Sequence, residues 1–183
     1  MIYEKERMKD IHRIIRRLLF PLAALTVVAV TGGCKVRYSF SGASIDSSIQ
    51  TASVAYFPNM AAMVSTLLSP ALYDGLTDKI QRETRLRLVR EGGDVSFEGE
   101  ITDYRSSPFS ISGAEYAMQN RLTIVVKVRY TNTKQPNLSF DRSFSAYADY
   151  DTNTPLATAE SSLIPEIVEK LAEDIFNAAF SNW

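Results

Sequence analysis

The sequence predicts an α+β domain, a two-layer sandwich in which a small, mostly antiparallel sheet packs against two helices. Two observations support this prediction. Five segments alternate apolar and polar residues with the period of two that is typical of strands, and two segments repeat apolar residues with the period of a helix. The segments follow one another in the order β-α-β-β-β-β-α. Helices segregated from a run of strands are typical of a two-layer α+β fold.

The strands are predicted from alternation and from β-branched and aromatic residues. The first is expected at Thr51–Phe57, where Pro58 ends the pattern, and the strongest at Arg121–Thr131. Residues 105–120 form either a polar loop or an extension of the strand before them. The remaining strands are expected at residues 85–89, 95–104 and 138–150.

The helices are predicted from apolar stripes. The first is expected to start with Ser69 as its N-cap and Pro70 as its first residue, since proline is favoured at that position. Its buried stripe is Leu72, Leu76 and Ile80. The last helix is expected to start at Thr154-Pro155 or at Ser161, with Pro165 either kinking it or lying close to its start. Its stripe consists of Leu163, Ile167, Leu171 and Ile175.

The N-terminal segment resembles a lipoprotein signal peptide. Arginines precede an apolar run, Leu18–Val30, and two glycines precede the only cysteine, Cys34. The run of about 13 apolar residues is shorter than the roughly 20 needed to span a bilayer, which argues against a transmembrane anchor. We therefore expect Sec export, removal of residues 1–33, a lipid on Cys34, a lipidated tether at 34–50 and a domain at 51–183. The residue after the cysteine is Lys35 and not the aspartate that retains lipoproteins in the inner membrane, so the expected destination is the outer membrane.

Composition excludes several function classes. After residue 33, the chain retains 14 basic and 18 acidic residues, so nothing favours nucleic acid as a partner. Its only histidine, His12, lies in the predicted signal peptide, and its only cysteine is the predicted lipid acceptor. Ser-His-Asp and Cys-His catalysis and His/Cys metal sites therefore have no residues to form them, and no cofactor is expected.

Six segments after Cys34 carry a family resemblance through their order and spacing: YSFSGASI (38–45), VAYFPN (54–59), GDVSFEGEITDYRSSP (93–108), NRLTIVVKVRYTN (120–132), FDRSFSAYADYD (140–151) and LAEDIFNAAFSNW (171–183). They resemble the corresponding segments of the LptE family of lipopolysaccharide-assembly lipoproteins. The resemblance implies an α/β sandwich that is not an enzyme. It also implies that the protein plugs the outer-membrane β-barrel LptD, helps that barrel to assemble, binds lipopolysaccharide and assists its insertion into the outer leaflet.

The candidate site residues are basic. Lipid A carries phosphates, which Arg and Lys bind beside apolar surface. The outward face of the strongest strand offers Arg121, Lys127 and Arg129, and the short strand before it adds Arg87. We predict that these four residues bind lipopolysaccharide. The alternative is a solvated strand face whose charges oppose edge-to-edge pairing.

Two other function classes stay open. Glu98 and Glu100 share a strand face, so their carboxyl groups can approach to the separation used by glycosidases, about 5–9 Å. An enzyme acting in the periplasm would use them as its acid and base. The second alternative is an envelope lipoprotein that acts as a glycan- or protein-binding structural module.

Overall fold

The computed structural model describes residues 45–110 and 118–181. Within them lie the expected two helices and five strands, in the expected order. The predicted signal peptide, Cys34 and the tether up to residue 44 lie outside the described residues. The elements are β1 (Thr51–Val54), α1 (Leu68–Glu83), β2 (Arg87–Leu88), β3 (Val95–Ser110), β4 (Met118–Asn132), a 3₁₀ turn (Pro136–Leu138), β5 (Phe140–Asp151) and α2 (Leu156–Phe180).

The strands form one mixed sheet with the order β2-β1-β3-β4-β5. The long strands β3, β4 and β5 are antiparallel, whereas β1 runs parallel to both of its neighbours. The two-residue β2 and the following β3 are consecutive in the chain, but β1 lies between them. Segment 89–94 therefore crosses β1, and the Val89 N–H donates to the Ala52 carbonyl at 2.9 Å on the way.

Strand β3 is longer than its clear alternation and continues to Ser110, so the strand-extension reading of the segment after residue 104 is confirmed as far as the structure describes it. A register shift between Ile101 and Asp103 leaves Thr102 as an extra residue against β4. Such a bulge changes which side chains face the core. Here it turns Tyr104 inward, to 2% exposure, where unbroken alternation would have turned it outward.

One core fills the space between the sheet and the two helices. The predicted stripe of α1 is fully buried, and so is the predicted inward face of β4. The helices pack against each other as well as against the sheet. The buried residues of these two faces are Leu72, Leu76, Ile80, Leu122, Ile124, Val126, Val128 and Tyr130.

The prediction for the start of α1 was wrong by two residues. The helix begins at Leu68, and Ser69 is buried in the first turn rather than capping it. Ser65 starts the turn instead, because its carbonyl and hydroxyl oxygens accept the N–H groups of Leu68 and Leu67, at 3.5 and 3.4 Å. Helix α2 starts at the earlier of its two expected positions and continues through the exposed Pro165.

Residues 45–50 pack against the domain before β1 begins. Ile49 is buried and Ile45 is packed against the core. The Asp46 carboxylate accepts hydrogen bonds from the Ser48 N–H at 2.8 Å and from the Gln135 side chain at 3.3 Å.

Gly75 of α1 lies against Val168 of α2. A Cβ at this position would lie 2.6 Å from Cγ1 of Val168. We expect Gly75→Leu to lower the free energy of unfolding by about 1–3 kcal/mol, because overpacking outweighs the helix propensity that leucine adds. Urea denaturation measures the effect, and the double variant with Val168→Ala should recover part of it. Equal losses with Val and Ala at position 168 would contradict the contact.

Candidate functional site

The predicted basic residues of β4 lie on the side of the sheet that the helices leave uncovered. Side chains alternate along a strand, so the buried Leu122 and Val126 place Arg121, Lys127 and Arg129 on the opposite side. We call this surface the open face. Its charged and aromatic residues on β3, β4 and β5 include Glu98, Glu100, Arg121, Lys127, Arg129, Asp141, Tyr147 and Asp149.

Lys127 and Arg129 lie in a charged cluster on the open face. Asp141 of β5 lies 3.6 Å from Lys127 and 3.5 Å from Arg129. On the other side, Glu100 and Glu98 of β3 are the register partners of the same two residues. The charged cluster, defined by these five residues, contains two cations and three carboxylates. It therefore lacks the positive excess that a concentrated group of phosphates would favour.

The charged cluster lines a shallow groove of about 370 Å³. Its other wall comes from the segment after β1, where the Tyr56 side chain is 58% exposed. Ammonium and guanidinium groups donate hydrogen bonds and carboxylates accept them, so the groove offers both functions beside an aromatic ring. That combination suits a polar, hydroxyl-rich ligand better than a purely anionic one.

Arg121 is held by its neighbours on both adjacent strands. Its guanidinium donates two hydrogen bonds to Asp149, at 2.7 and 2.9 Å. It lies between two aromatic rings, 3.7 Å from the centroid of Phe109 and 3.8 Å from that of Tyr147. The hydrogen bonds raise the pKa of Arg121 and lower the pKa of Asp149. Arg121 thus ties β3, β4 and β5 together, with two of its five N–H donors bonded to Asp149.

The four predicted residues do not form one site. Lys127 and Arg129 are two positions apart, whereas Arg121 lies about 20 Å away along the strand at the usual rise per residue. Arg87 is on β2, separated from β4 by β1 and β3. The prediction that they bind lipopolysaccharide stays a prediction, now divided among three separate places.

The carboxylates of the enzyme alternative are on the open face. Glu98 is opposite Arg129 and Glu100 is opposite Lys127, so each faces a cation on the neighbouring strand. Among residues 45–110 and 118–181, no group of His, Cys, Asp and Glu side chains is arranged to hold a metal ion.

Sequence reasoning missed Asp94, which lies just before β3 and contacts the start of β1 and the turn after β4. Its Oδ2 accepts hydrogen bonds from the N–H groups of Gln50 and Thr51, both at 3.0 Å, and from the Thr51 hydroxyl at 2.8 Å. Its Oδ1 lies 3.1 Å from the ammonium group of Lys134. The only sequence signal is an Asp after two glycines, which predicts a turn but no partners.

The Asp94 contacts predict a pH dependence. The backbone hydrogen bond from Gln50, followed by those from Thr51 and Lys134, lowers the pKa of Asp94 well below 3.8. A lowered pKa stabilises the folded state above the unfolded-state pKa, and this stabilisation is lost as the pH falls through the folded-state pKa. We expect Asp94→Asn to unfold at lower urea concentration at pH 7, and its deficit to shrink as the pH falls below about 4.

Urea midpoints of both chains across that pH range test this prediction. Asp78→Asn, which changes an exposed carboxylate on α1, is the matched control and should stay close to the unmodified chain. A deficit for Asp94→Asn that does not change with pH would contradict a role for the ionised carboxylate.

Comparison with protein-family models gives a match to LptE, described as lipopolysaccharide-assembly, over residues 49–179. This range covers more than half of the chain and extends from the residues before β1 nearly to the end of α2. The chain belongs to the LptE family. The resemblance drawn from the order of its segments is therefore confirmed. The family description names lipopolysaccharide assembly and no catalysed reaction.

Solved structures also resemble this LptE-family chain. The hypothetical protein CT253 from Chlamydia trachomatis is 7% identical with a TM-score of 0.53, and the match covers 73% of this chain and 99% of that one. A minor lipoprotein from Acinetobacter baumannii is 15% identical with a TM-score of 0.46, covering 72% and 94%. At such identity, the chlamydial match shows the fold alone. No curated protein sequence matches this chain.

As a member of the LptE family, the chain is an envelope lipoprotein of lipopolysaccharide assembly. In the part of the chain that the structure describes, no helix combines the length and apolar character needed to cross a membrane.

Proposed function

We propose that the chain plugs an LptD-type β-barrel in the outer membrane and assists the insertion of lipopolysaccharide into the outer leaflet. It reaches that membrane after Sec export, anchored through a lipid on Cys34, and it catalyses no reaction. The observation that carries the proposal is the LptE match over residues 49–179. The geometry is compatible with this function, since a rigid sheet backed by two helices leaves one polar face free to meet a partner.

Within this proposal, lipopolysaccharide contacts the open face at the groove beside Tyr56. Lys127 and Arg129 are exposed there and supply donors for phosphate or sugar oxygens. Arg121 contributes by holding the strands in register, because its guanidinium is paired with Asp149 and stacked on Phe109 and Tyr147. Arg87, on the edge strand β2, makes a separate contact with lipopolysaccharide in this proposal.

The test is a detergent pull-down of the full-length lipidated chain from outer membranes, with captured proteins identified by mass spectrometry. The expected result is an LptD-type barrel in roughly equal amount to the bait. A second outer-membrane lipoprotein with the same tag is the control. Recovery of no barrel, or of the same barrel with the control, would overturn the proposal. The mass of the mature N-terminus tests the lipid on Cys34 separately.

The groove favours one second candidate, a lipoprotein that binds a glycan as a structural module. Its mixed donors and acceptors beside the Tyr56 ring are the specific observation. Protease treatment of intact cells separates the two functions. A barrel plug is protected, whereas a surface-exposed module is cleaved.

A further inference from the structure

The segment between β1 and α1 exposes an unusual group of apolar side chains. Met60 and Val64 are each 66% exposed, Leu67 is 50% exposed and Met63 is 47% exposed. Isolated exposed apolar residues are ordinary, but a contiguous group is typical of a contact surface. We call residues 60–67 the apolar loop.

The apolar loop is held in place by the domain. The Met60 N–H donates to the Ile101 carbonyl at 2.9 Å. The Ser65 hydroxyl donates to the Glu160 carboxylate of α2 at 3.2 Å, and the Tyr104 hydroxyl donates to the other oxygen of the same carboxylate. Ala61 and Ser65 are buried, so the fold anchors the loop through them and turns its larger side chains outward. A surface ordered before binding loses less entropy on association.

Charge identifies the kind of partner. From Ser47 to Tyr73 the chain has no charged residue, although 22% of its residues are charged. The charged side chain that the apolar loop contacts is acidic, since the Ser65 hydroxyl donates to Glu160, and the first charge after the uncharged stretch is Asp74. Loops and helices that bind anionic lipid surfaces carry Lys or Arg beside their apolar residues. The observed pattern instead fits an uncharged, apolar recess in a protein.

The apolar loop also lies far from the residues at which the described chain enters the domain. Ile45 and Ile49, where the described chain enters the domain, line a small pocket with Phe180 at the end of α2. The apolar loop contacts Glu160, near the start of α2. The twenty residues between Glu160 and Phe180 span about 30 Å of helix. The apolar loop therefore lies at the end of the domain opposite to Ile45 and Ile49.

We propose that the apolar loop inserts into an uncharged apolar recess of the barrel partner and supplies the main apolar contact of that interface. This inference rests on the proposed function, because it takes the barrel as the partner. The contact is separate from lipopolysaccharide binding, which the proposed function places at the charged cluster on the open face.

The experiment repeats the pull-down with full-length lipidated Val64→Asp. A buried charge in an apolar contact is strongly unfavourable, so barrel recovery should fall at least about ten-fold. The matched control is Gln81→Glu, which adds a charge at an exposed position on α1 outside the open face and the apolar loop, and it should recover the barrel as the unmodified chain does. Both variants change exposed side chains, so their thermal unfolding should match that of the unmodified chain. A photo-crosslinking residue at position 64 gives a second readout, and its expected product is a crosslink to the barrel.

The outcomes separate the inference from the proposed function. Full barrel recovery by Val64→Asp, with no crosslink from position 64, overturns the inference and leaves the proposed function intact. No barrel recovered by the unmodified chain overturns both. The inference also fails if the unlipidated Cys34→Ser chain floats with phosphatidylethanolamine–phosphatidylglycerol vesicles and Val64→Asp abolishes this, since the loop then binds lipid. Self-association of the purified chain that Val64→Asp abolishes would likewise overturn it in favour of a second copy.

Discussion

Gly99→Ala is expected to destabilise the protein by at least about 3 kcal/mol, beyond the usual range for a single added methyl group. A Cβ at Gly99 would overlap the carbonyl oxygen of Lys127 and lie 2.8 Å from Cε1 of Phe57. Phe57 is fully buried, and Gly99 is paired with Val128 in the middle of the sheet. Neither side chain rotation nor a small backbone shift can relieve an overlap with a neighbouring strand.

Urea denaturation of the mature chain measures this effect. Glu98→Ala is the matched control, because Glu98 is adjacent in sequence but exposed, and its variant should stay within about 0.5 kcal/mol of the unmodified chain. Comparable stabilities of the Gly99 and Glu98 variants would show that the two strands can separate enough to admit a methyl group.

Phe180→Ala is expected to lower the free energy of unfolding by about 3–5 kcal/mol, which is typical of removing a buried aromatic side chain. Phe180 is 5% exposed although it ends the last helix. Its ring centroid lies 5.1 Å from that of Phe176, 5.9 Å from that of Phe97 and 6.1 Å from that of Tyr130. The variant therefore opens a cavity between α2 and the central strands.

Equilibrium unfolding in urea and near-ultraviolet circular dichroism, which reports on packed aromatic rings, test this prediction. Ser181→Ala changes the next residue, whose hydroxyl donates a hydrogen bond to the Asn177 side chain of α2, and serves as the control. A loss below about 1 kcal/mol for Phe180→Ala would mean that the end of α2 contributes little to the core.

The elements with one buried face were predictable from the sequence because burial imposes the alternation. Leu122 to Tyr130 in β4 and Leu72 to Ile80 in α1 have the expected orientation. The start of α1 was not predictable, because Ser69-Pro70 resembles a helix start, whereas the helix begins at Leu68 after a turn that Ser65 starts. The bulge at Thr102 and the position of β1 between β2 and β3 depend on pairing between distant segments, which local periodicity does not encode.

The candidate site was predictable as a face but not as a set of contacts. Alternation placed Lys127 and Arg129 on the outer side of β4. Their neighbours come from other strands, so the sequence alone did not reveal that carboxylates surround them. The stacking of Phe109 and Tyr147 on Arg121 was missed for the same reason.

The placement of β1 has a mechanical consequence. Because residues 45–50 lead into β1, and both neighbours of β1 run parallel to it, a force applied to these residues along the strand axis loads the hydrogen bonds of β1 in shear. Such bonds must break together rather than unzip one after another. Asp94 accepts hydrogen bonds from Gln50 and Thr51 at the start of β1, and these bonds would also have to break. The sheet is therefore expected to resist a force from the N-terminal side more strongly than a force that separates its strands one hydrogen bond at a time.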